Sequence, residues 1–121
     1  MTCSYWDEPL DVENITSSSI FDPKTGFGGN GSSSSLCVLD GPFTNLTLHI
    51  ASNLTSSNYC VTRNFNLCSF KAAAQKHVDD CMLLQKFEQV RSCLKNGPHA
   101  SGHSGVGGLV CILTDYFVPS G

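Results

Sequence analysis

The region from Ser69 to Leu94 constrains the fold of this chain more than any other segment. Its apolar residues recur at steps of three and four, the period of an amphipathic helix, so we predict one or two helices here. Asn96-Gly97-Pro98 follows. Glycine readily takes the left-handed conformation that closes a helix and proline does not continue one, so we expect the helix to end there. The apolar residues of the pattern are Phe70, Ala73, Ala74, Val78, Cys81, Met82, Leu84, Phe87, Val90, Cys93 and Leu94.

The rest of the chain is rich in residues that favour loops. From Pro9 to Ser35, Ser, Gly, Asn and Asp dominate, which predicts an extended surface loop. The alternation of apolar and polar residues over 46–50 predicts a short strand, and 51–58 is expected to be a loop again. The continuous apolar run 109–113 has to be buried somewhere, and if it is exposed we expect it to mediate self-association.

Two histidines, His99 and His103, lie four residues apart in the glycine-rich segment 97–108. On a helix, residues at this spacing share one face with Cβ atoms roughly 5–6 Å apart, so two neutral imidazoles can converge on one copper or zinc ion. Glycine is a poor helix former, and a helix is expected here only if other parts of the fold hold it. The competing interpretation is a glycine-rich loop with two histidines and no metal. The glycines concerned are Gly102, Gly105, Gly107 and Gly108.

Other candidate motifs favour structural or surface roles. His49 lies on the polar side of the predicted strand and His77 lies beside two aspartates, so both are interpreted as solvated side chains. Segment 26–31 has the spacing Gly-x-Gly-x-x-Gly, but serines follow it where a dinucleotide site needs a helix. The net charge of −3 comes without a basic patch, so we expect no nucleic-acid partner.

Cysteines and glycosylation sequons bear on the compartment. Seven cysteines leave at least one without a partner in the chain. We predict acceptor asparagines at Asn14, Asn30, Asn45 and Asn53, a pattern typical of surface loops in secreted proteins. The polar start 2–8 has no signal peptide and no segment is expected to span a membrane, so secretion is predicted for a longer parent protein. A complete product would instead be cytosolic with reduced cysteines.

Six segments distributed along the chain share their order with one known family. They are Tyr5-Trp6-Asp7, 21–31, 37–45, 60–65, Gly97-Pro98-His99 with His103, and 115–121. In this order they resemble the tyrosinase family of type 3 copper proteins, particularly its fungal members.

The resemblance implies a mainly α fold with long irregular loops, as part of a four-helix-bundle domain. Residues 1–68 would be a loop-rich connecting region, 69–97 the helical region and 98–121 the start of the second copper site. Members hold two coppers with three histidines each, and His99 and His103 match the first two ligands of the second site. Four histidines cannot supply six ligands. We therefore expect the chain to be a central part of such a domain, without the first site and without the third ligand of the second.

The activity implied by the resemblance is oxidation of o-diphenols to o-quinones with O2. Members that hydroxylate monophenols often carry Asn after the first histidine of this site, whereas this chain has Ala100, so diphenol oxidation is the expected activity of an intact parent. No catalytic residue is assigned, and the chain alone is expected to be inactive. Two alternatives stay open: a secreted, cysteine-rich, non-catalytic scaffold or interaction protein, and a mononuclear site shared by His99 and His103 of two chains.

Overall fold

The computed structural model describes residues 5–52 and 55–108, which fall into two units. The helical unit comprises 5–15 and 65–106, and the hairpin unit comprises 16–52, 55–64 and 107–108. The predicted self-association segment 109–113 and the predicted acceptor Asn53 lie outside the described residues.

The helical unit confirms the predicted mainly α class with long irregular loops. None of the helices within 5–52 and 55–108 has both the length and the apolar character needed to cross a lipid bilayer. In chain order the elements are α1 (Glu8–Asp11), α2 (Leu67–Phe70), a 3₁₀ turn (Lys71–Ala73), α3 (Gln75–Met82), α4 (Phe87–Leu94), a π-helical turn (Lys95–His99) and α5 (Ala100–Val106).

The hairpin unit contains an antiparallel pair of strands, β1 (Thr47–Ser52) and β2 (Thr55–Cys60). The predicted strand over 46–50 is confirmed, whereas the loop expected over 51–58 is wrong for 51–52 and 55–58, which belong to the two strands. The polar segment at the start of β2 lacks the alternation of a half-buried strand, and its backbone pairs with β1 in a register that sets Thr47 opposite Cys60.

The predicted surface loop 9–35 is only partly a loop. It contains most of α1 and two 3₁₀ turns, Ile15–Ser17 and Ser19–Phe21. Ile15 and Phe21 are buried, so isolated apolar residues in a polar stretch contribute here to the core.

The expectation that a helix ends at Gly97-Pro98 is also wrong. Proline lacks an N–H and its ring clashes with the carbonyl four residues earlier, which disfavours an α-helical turn at Pro98. The chain adopts a wider π-helical turn over Lys95–His99, in which the Ala100 N–H donates to the Lys95 carbonyl five residues back. The helical course therefore passes through buried Pro98 into α5. It ends at Val106, because the two residues that follow have left-handed φ angles, 65° at Gly107 and 78° at Gly108.

The buried face of α5, which packs against the rest of the helical unit, has no large side chains. Ser101, Gly102 and Gly105 are its buried residues. The backbone at Gly102 lies against the Glu8 carboxylate and that at Gly105 against the Phe70 ring, so closely that a Cβ atom at either glycine would overlap its neighbour. The Ser101 hydroxyl donates to the Ser69 carbonyl at 2.7 Å. Contacts with the rest of the helical unit thus hold this glycine-rich segment in a helix despite its low helix propensity.

Phe70 joins α5 to the start of the chain. It is fully buried and stacks on Trp6 with 5.3 Å between ring centroids. The Trp6 indole N–H donates to the Asp11 carboxylate at 2.6 Å. The backbone N–H of Asn66 donates to the Gly105 carbonyl at 2.8 Å. The Trp6 segment and α2 therefore fix α5 from two positions in the sequence.

Disulfides cross-link each unit. Cys81–Cys93 joins α3 to α4, and Cys37–Cys60 closes the hairpin unit. Cross-links over loops of this length are worth about 3 kcal/mol each in the chain-entropy model. Within the described ranges, Cys68 is an exposed cysteine outside any disulfide, as the odd cysteine count predicts.

Replacing Gly105 with Ala is expected to lower the free energy of unfolding by about 1–3 kcal/mol, the range for inserting a methyl group into a packed core. The added Cβ would meet the Phe70 ring. Gly97→Ala is the matched control, since a Cβ at Gly97 meets nothing within 4 Å and alanine is the better helix former. Urea unfolding with the disulfides intact measures both variants, and equal destabilisation by the two substitutions would contradict the proposed packing.

Replacing Glu8 with Gln is expected to change the pH dependence of stability. Burial raises the pKa of Glu8 above its ordinary value of 4.5, so folding favours the neutral carboxyl. Stability of the wild-type chain from this group is therefore greatest below pH 4.5 and falls as pH rises through the raised folded-state pKa. Glutamine does not titrate, so the variant does not lose stability in this pH range. As pH rises across the range, the melting temperature of Glu8→Gln should therefore increase relative to that of wild type. Exposed Glu13→Gln is the control, and a parallel gain there would assign the effect to net charge.

Candidate metal site

His99 and His103 face each other across one helical turn. The two Nε2 atoms are 3.1 Å apart, and the ring centroids are 4.6 Å apart with 77° between the ring planes. His99 is the last residue of the π-helical turn and His103 lies in α5. The structure therefore brings together the two residues that the sequence singles out as ligands.

The pair lies on the accessible side of α5. The residues that pack inward are the serine and the two glycines described above, whereas His99 is exposed and His103 is half-exposed. Ser101 and Gly102, which lie between the two histidines, pack inward. Two residues four apart share a face of an α-helix, so both imidazoles lie on the outward side. The contact between the two Nε2 atoms is accordingly exposed to solvent.

The separation of the two nitrogens suits two chemical states. In one, a neutral imidazole donates its Nε2–H to the Nε2 lone pair of the other. In the second, both protons are on Nδ1 and both Nε2 lone pairs face one metal ion. Imidazole nitrogens bind zinc at about 2.0–2.1 Å, so two imidazoles on one such ion at angles of about 90–110° have nitrogens about 3 Å apart. The Nε2–Nε2 separation in the pair, 3.1 Å, therefore matches the separation of two imidazole nitrogens on one ion.

No third ligand completes the pair within the part of the chain that the structure describes, where no group of three or more His, Cys, Asp and Glu is placed to hold a metal. His77 lies exposed in α3, and the backbone of His49 lies in β1. A shallow open groove runs along α4, and its lining includes neither member of the pair. It is lined by Leu84, Glu88, Gln89, Ser92, Cys93 and Asn96.

The glycine-rich segment 26–31 surrounds a buried cation from its own unit. Arg63 is 7% exposed, and its guanidinium donates to the carbonyls of Phe27 at 2.8 Å, Gly29 at 3.0 Å and Gly28. The guanidinium also lies 5.1 Å from the centroid of the Phe21 ring. Burial lowers the pKa of Arg63, and the Asp40 carboxylate opposes that shift.

Sequence reasoning missed this role of Arg63. A signal was present, since Arg63 is a single cation in an otherwise uncharged stretch after Cys60. Its partners, however, lie more than thirty residues earlier in the chain. Of the predicted acceptor asparagines, Asn14, Asn30 and Asn45 are all exposed.

Comparisons with known proteins give partial matches to fungal tyrosinases. The chain is 41% identical over 68 residues to the tyrosinase-like protein phomQ2 of Diaporthe leptostromiformis, covering 50% of this chain and 17% of that protein. It is equally identical over 68 residues to tyrosinase ustQ of Aspergillus flavus, covering 50% of this chain and 19% of that protein. Identity to phomQ1 of Diaporthe leptostromiformis is 46% over 50 residues, 36% of this chain and 13% of that protein.

The chain thus spans less than a fifth of the length of these curated relatives. No family model and no solved structure matches it. The mainly helical structure is consistent with part of a helical tyrosinase-like domain. Together, the partial matches to fungal proteins support a relationship between this chain and the tyrosinase family.

Proposed function

We propose that this chain supplies His99 and His103 as two ligands of one copper ion in a tyrosinase-like oxidoreductase. The observation that carries the proposal is the 3.1 Å separation of the two Nε2 atoms on the accessible side of α5. The names of the fungal relatives support the same chemistry. The remaining ligands come from groups other than these two side chains.

The proposed reaction is oxidation of an o-diphenol to an o-quinone. Copper, when bound, supplies the electron transfer between the phenol and O2. Each diphenol loses two electrons and two protons, so two diphenols reduce one O2 to two waters. The phenolic substrate and O2 are the small-molecule partners of the intact protein.

Local features of this chain favour coordination of a metal ion by the two imidazoles. Coordination through Nε2 requires each imidazole to be neutral with its proton on Nδ1. The tight packing behind α5 fixes the backbone that carries both rings, which limits the loss of conformational freedom on metal binding. Ala100, next to His99, is exposed and has no polar side chain to orient a water molecule as a base, which favours diphenols over monophenols as substrates.

A second candidate is a secreted, non-catalytic scaffold derived from the same fold. The observation that favours it is that a disulfide closes each unit, so the fold is stabilised without a metal. Copper stoichiometry and catechol turnover of the intact protein separate the candidates. Oxygen-dependent quinone formation with two coppers per molecule supports the oxidoreductase, and a copper-free protein with closed disulfides supports the scaffold.

Titration of the oxidised chain with copper(II) tests the ligand assignment directly. We expect weak binding of one ion, with splitting of the electron paramagnetic resonance signal by imidazole nitrogens, because two ligands without a third hold copper loosely. Replacing His99 or His103 with Ala should weaken binding at least about tenfold, or about 1.4 kcal/mol. His77→Ala is the matched control, because His77 is an exposed helical histidine that forms no metal-holding group with the pair.

Unchanged nitrogen splitting and affinity in the His99→Ala, His103→Ala double variant would contradict the assignment. Sedimentation during the titration distinguishes the arrangement in which two chains share an ion, which predicts one copper per dimer. That alternative fails if the protein stays monomeric as copper binds.

A further inference from the structure

We propose that Asn45 carries an N-linked glycan, and that Asn45 is glycosylated at higher occupancy than Asn14 and Asn30. The donor would be a lipid-diphosphate oligosaccharide of the secretory pathway. The proposal rests on the local structure of the hairpin unit and does not depend on copper binding.

The Asn45 sequon is exposed at all three positions. Asn45 follows a turn in which the Thr44 hydroxyl donates to the Gly41 carbonyl at 2.8 Å, and Leu46 separates it from Thr47, the first residue of β1. Leu46 is 44% exposed, and Asn45 and Thr47 are also exposed. Thr47 begins β1, so its hydroxyl lies at the open end of the hairpin. A bulky glycan can be added there without displacing core residues.

Each of the other two described sequons has at least one residue held by the surrounding structure. In Asn14-Ile15-Thr16 the middle residue is 1% exposed. Moving this tripeptide away from the protein would therefore pull Ile15 out of the core. In Asn30-Gly31-Ser32 the serine hydroxyl lies 2.7 Å from the Ser35 hydroxyl and accepts from the Ser35 N–H at 3.1 Å.

The backbone around Asn30 is also confined. A Cβ at Gly31 would overlap the carbonyls of Leu36 and Arg63, and the preceding residues, Gly28 and Gly29, hold the Arg63 guanidinium through their carbonyls. Once the hairpin unit has folded, the Asn30 sequon is therefore less available than the Asn45 sequon.

The disulfides indicate an environment in which this modification takes place. Cys60, the strand partner of Thr47, is bonded to Cys37. Disulfides form and persist in oxidising compartments such as the lumen of the endoplasmic reticulum, and N-glycosylation sequons are used in secreted proteins. The disulfide that fixes the start of β1 and the glycan at Asn45 would then be acquired along the same route.

The proposed transfer is balanced without an oxidant or reductant. The Asn45 Nδ2 atom forms a bond to the anomeric carbon of the first sugar, and the bond from that carbon to the diphosphate oxygen breaks. The lipid diphosphate leaves with the electron pair, and Nδ2 gives up one proton. The amide nitrogen ends as a substituted amide, which is neutral like the original side chain.

The test expresses the full 121-residue chain behind a cleavable secretion signal in a cell-free system with microsomes. Release of N-glycans by an amidase in ¹⁸O water converts each glycosylated Asn to labelled Asp, which peptide mass spectrometry locates. We expect label at position 45 at higher occupancy than at 14 or 30. Asn45→Gln and Thr47→Ala should each lose one glycan, whereas Thr47→Ser should keep it because a hydroxyl remains.

Asn30→Gln is the matched control and should leave the labelling at position 45 unchanged. An unlabelled position 45 would overturn the proposal, whether the other asparagines carry glycans or none does. Retention of label at position 45 in Thr47→Ala would also overturn it, since the sequon would then not be the determinant.

Discussion

The close contact between the Gly105 backbone and the Phe70 ring underlies the geometry of the histidine pair. Glycine disfavours a helix by about 1 kcal/mol relative to alanine, so 100–106 would not be helical on propensity alone. The absence of a side chain at Gly105 lets buried Phe70 pack directly on the backbone, and Phe70 is itself stacked on Trp6. Residues outside the pair therefore determine that His99 and His103 lie at helical spacing.

The π-helical turn connects the histidine pair to α4. A π turn contains about one residue more than an α turn. The wider turn at Lys95–His99 accommodates Pro98, so that the helical course continues from α4 into α5. Since Cys93 at the end of α4 is cross-linked to Cys81, the helical course into the π turn is anchored on α3.

The sequence predicts local features well and long-range contacts poorly. The helical period of 69–94, the strand at 46–50 and the convergence of two imidazoles four residues apart follow from local spacing. The course through Pro98 does not, because the local rule for proline is overridden by packing of α5 on α2 and Glu8. The second strand and the role of Arg63 depend on partners distant in sequence, and seven cysteines permit many pairings.

Glycine has the same physical role in two segments that otherwise differ. In 26–31 it allows backbone carbonyls to approach the Arg63 guanidinium, and in α5 it allows the backbone to approach Phe70 and Glu8. The first segment has the spacing of a phosphate-binding loop, but such a loop presents N–H groups to an anion, whereas these carbonyls face a cation. The glycines of both segments are thus accounted for by packing. The His99 and His103 imidazoles, by contrast, lie on the exposed side of the same helical course, with their Nε2 atoms 3.1 Å apart.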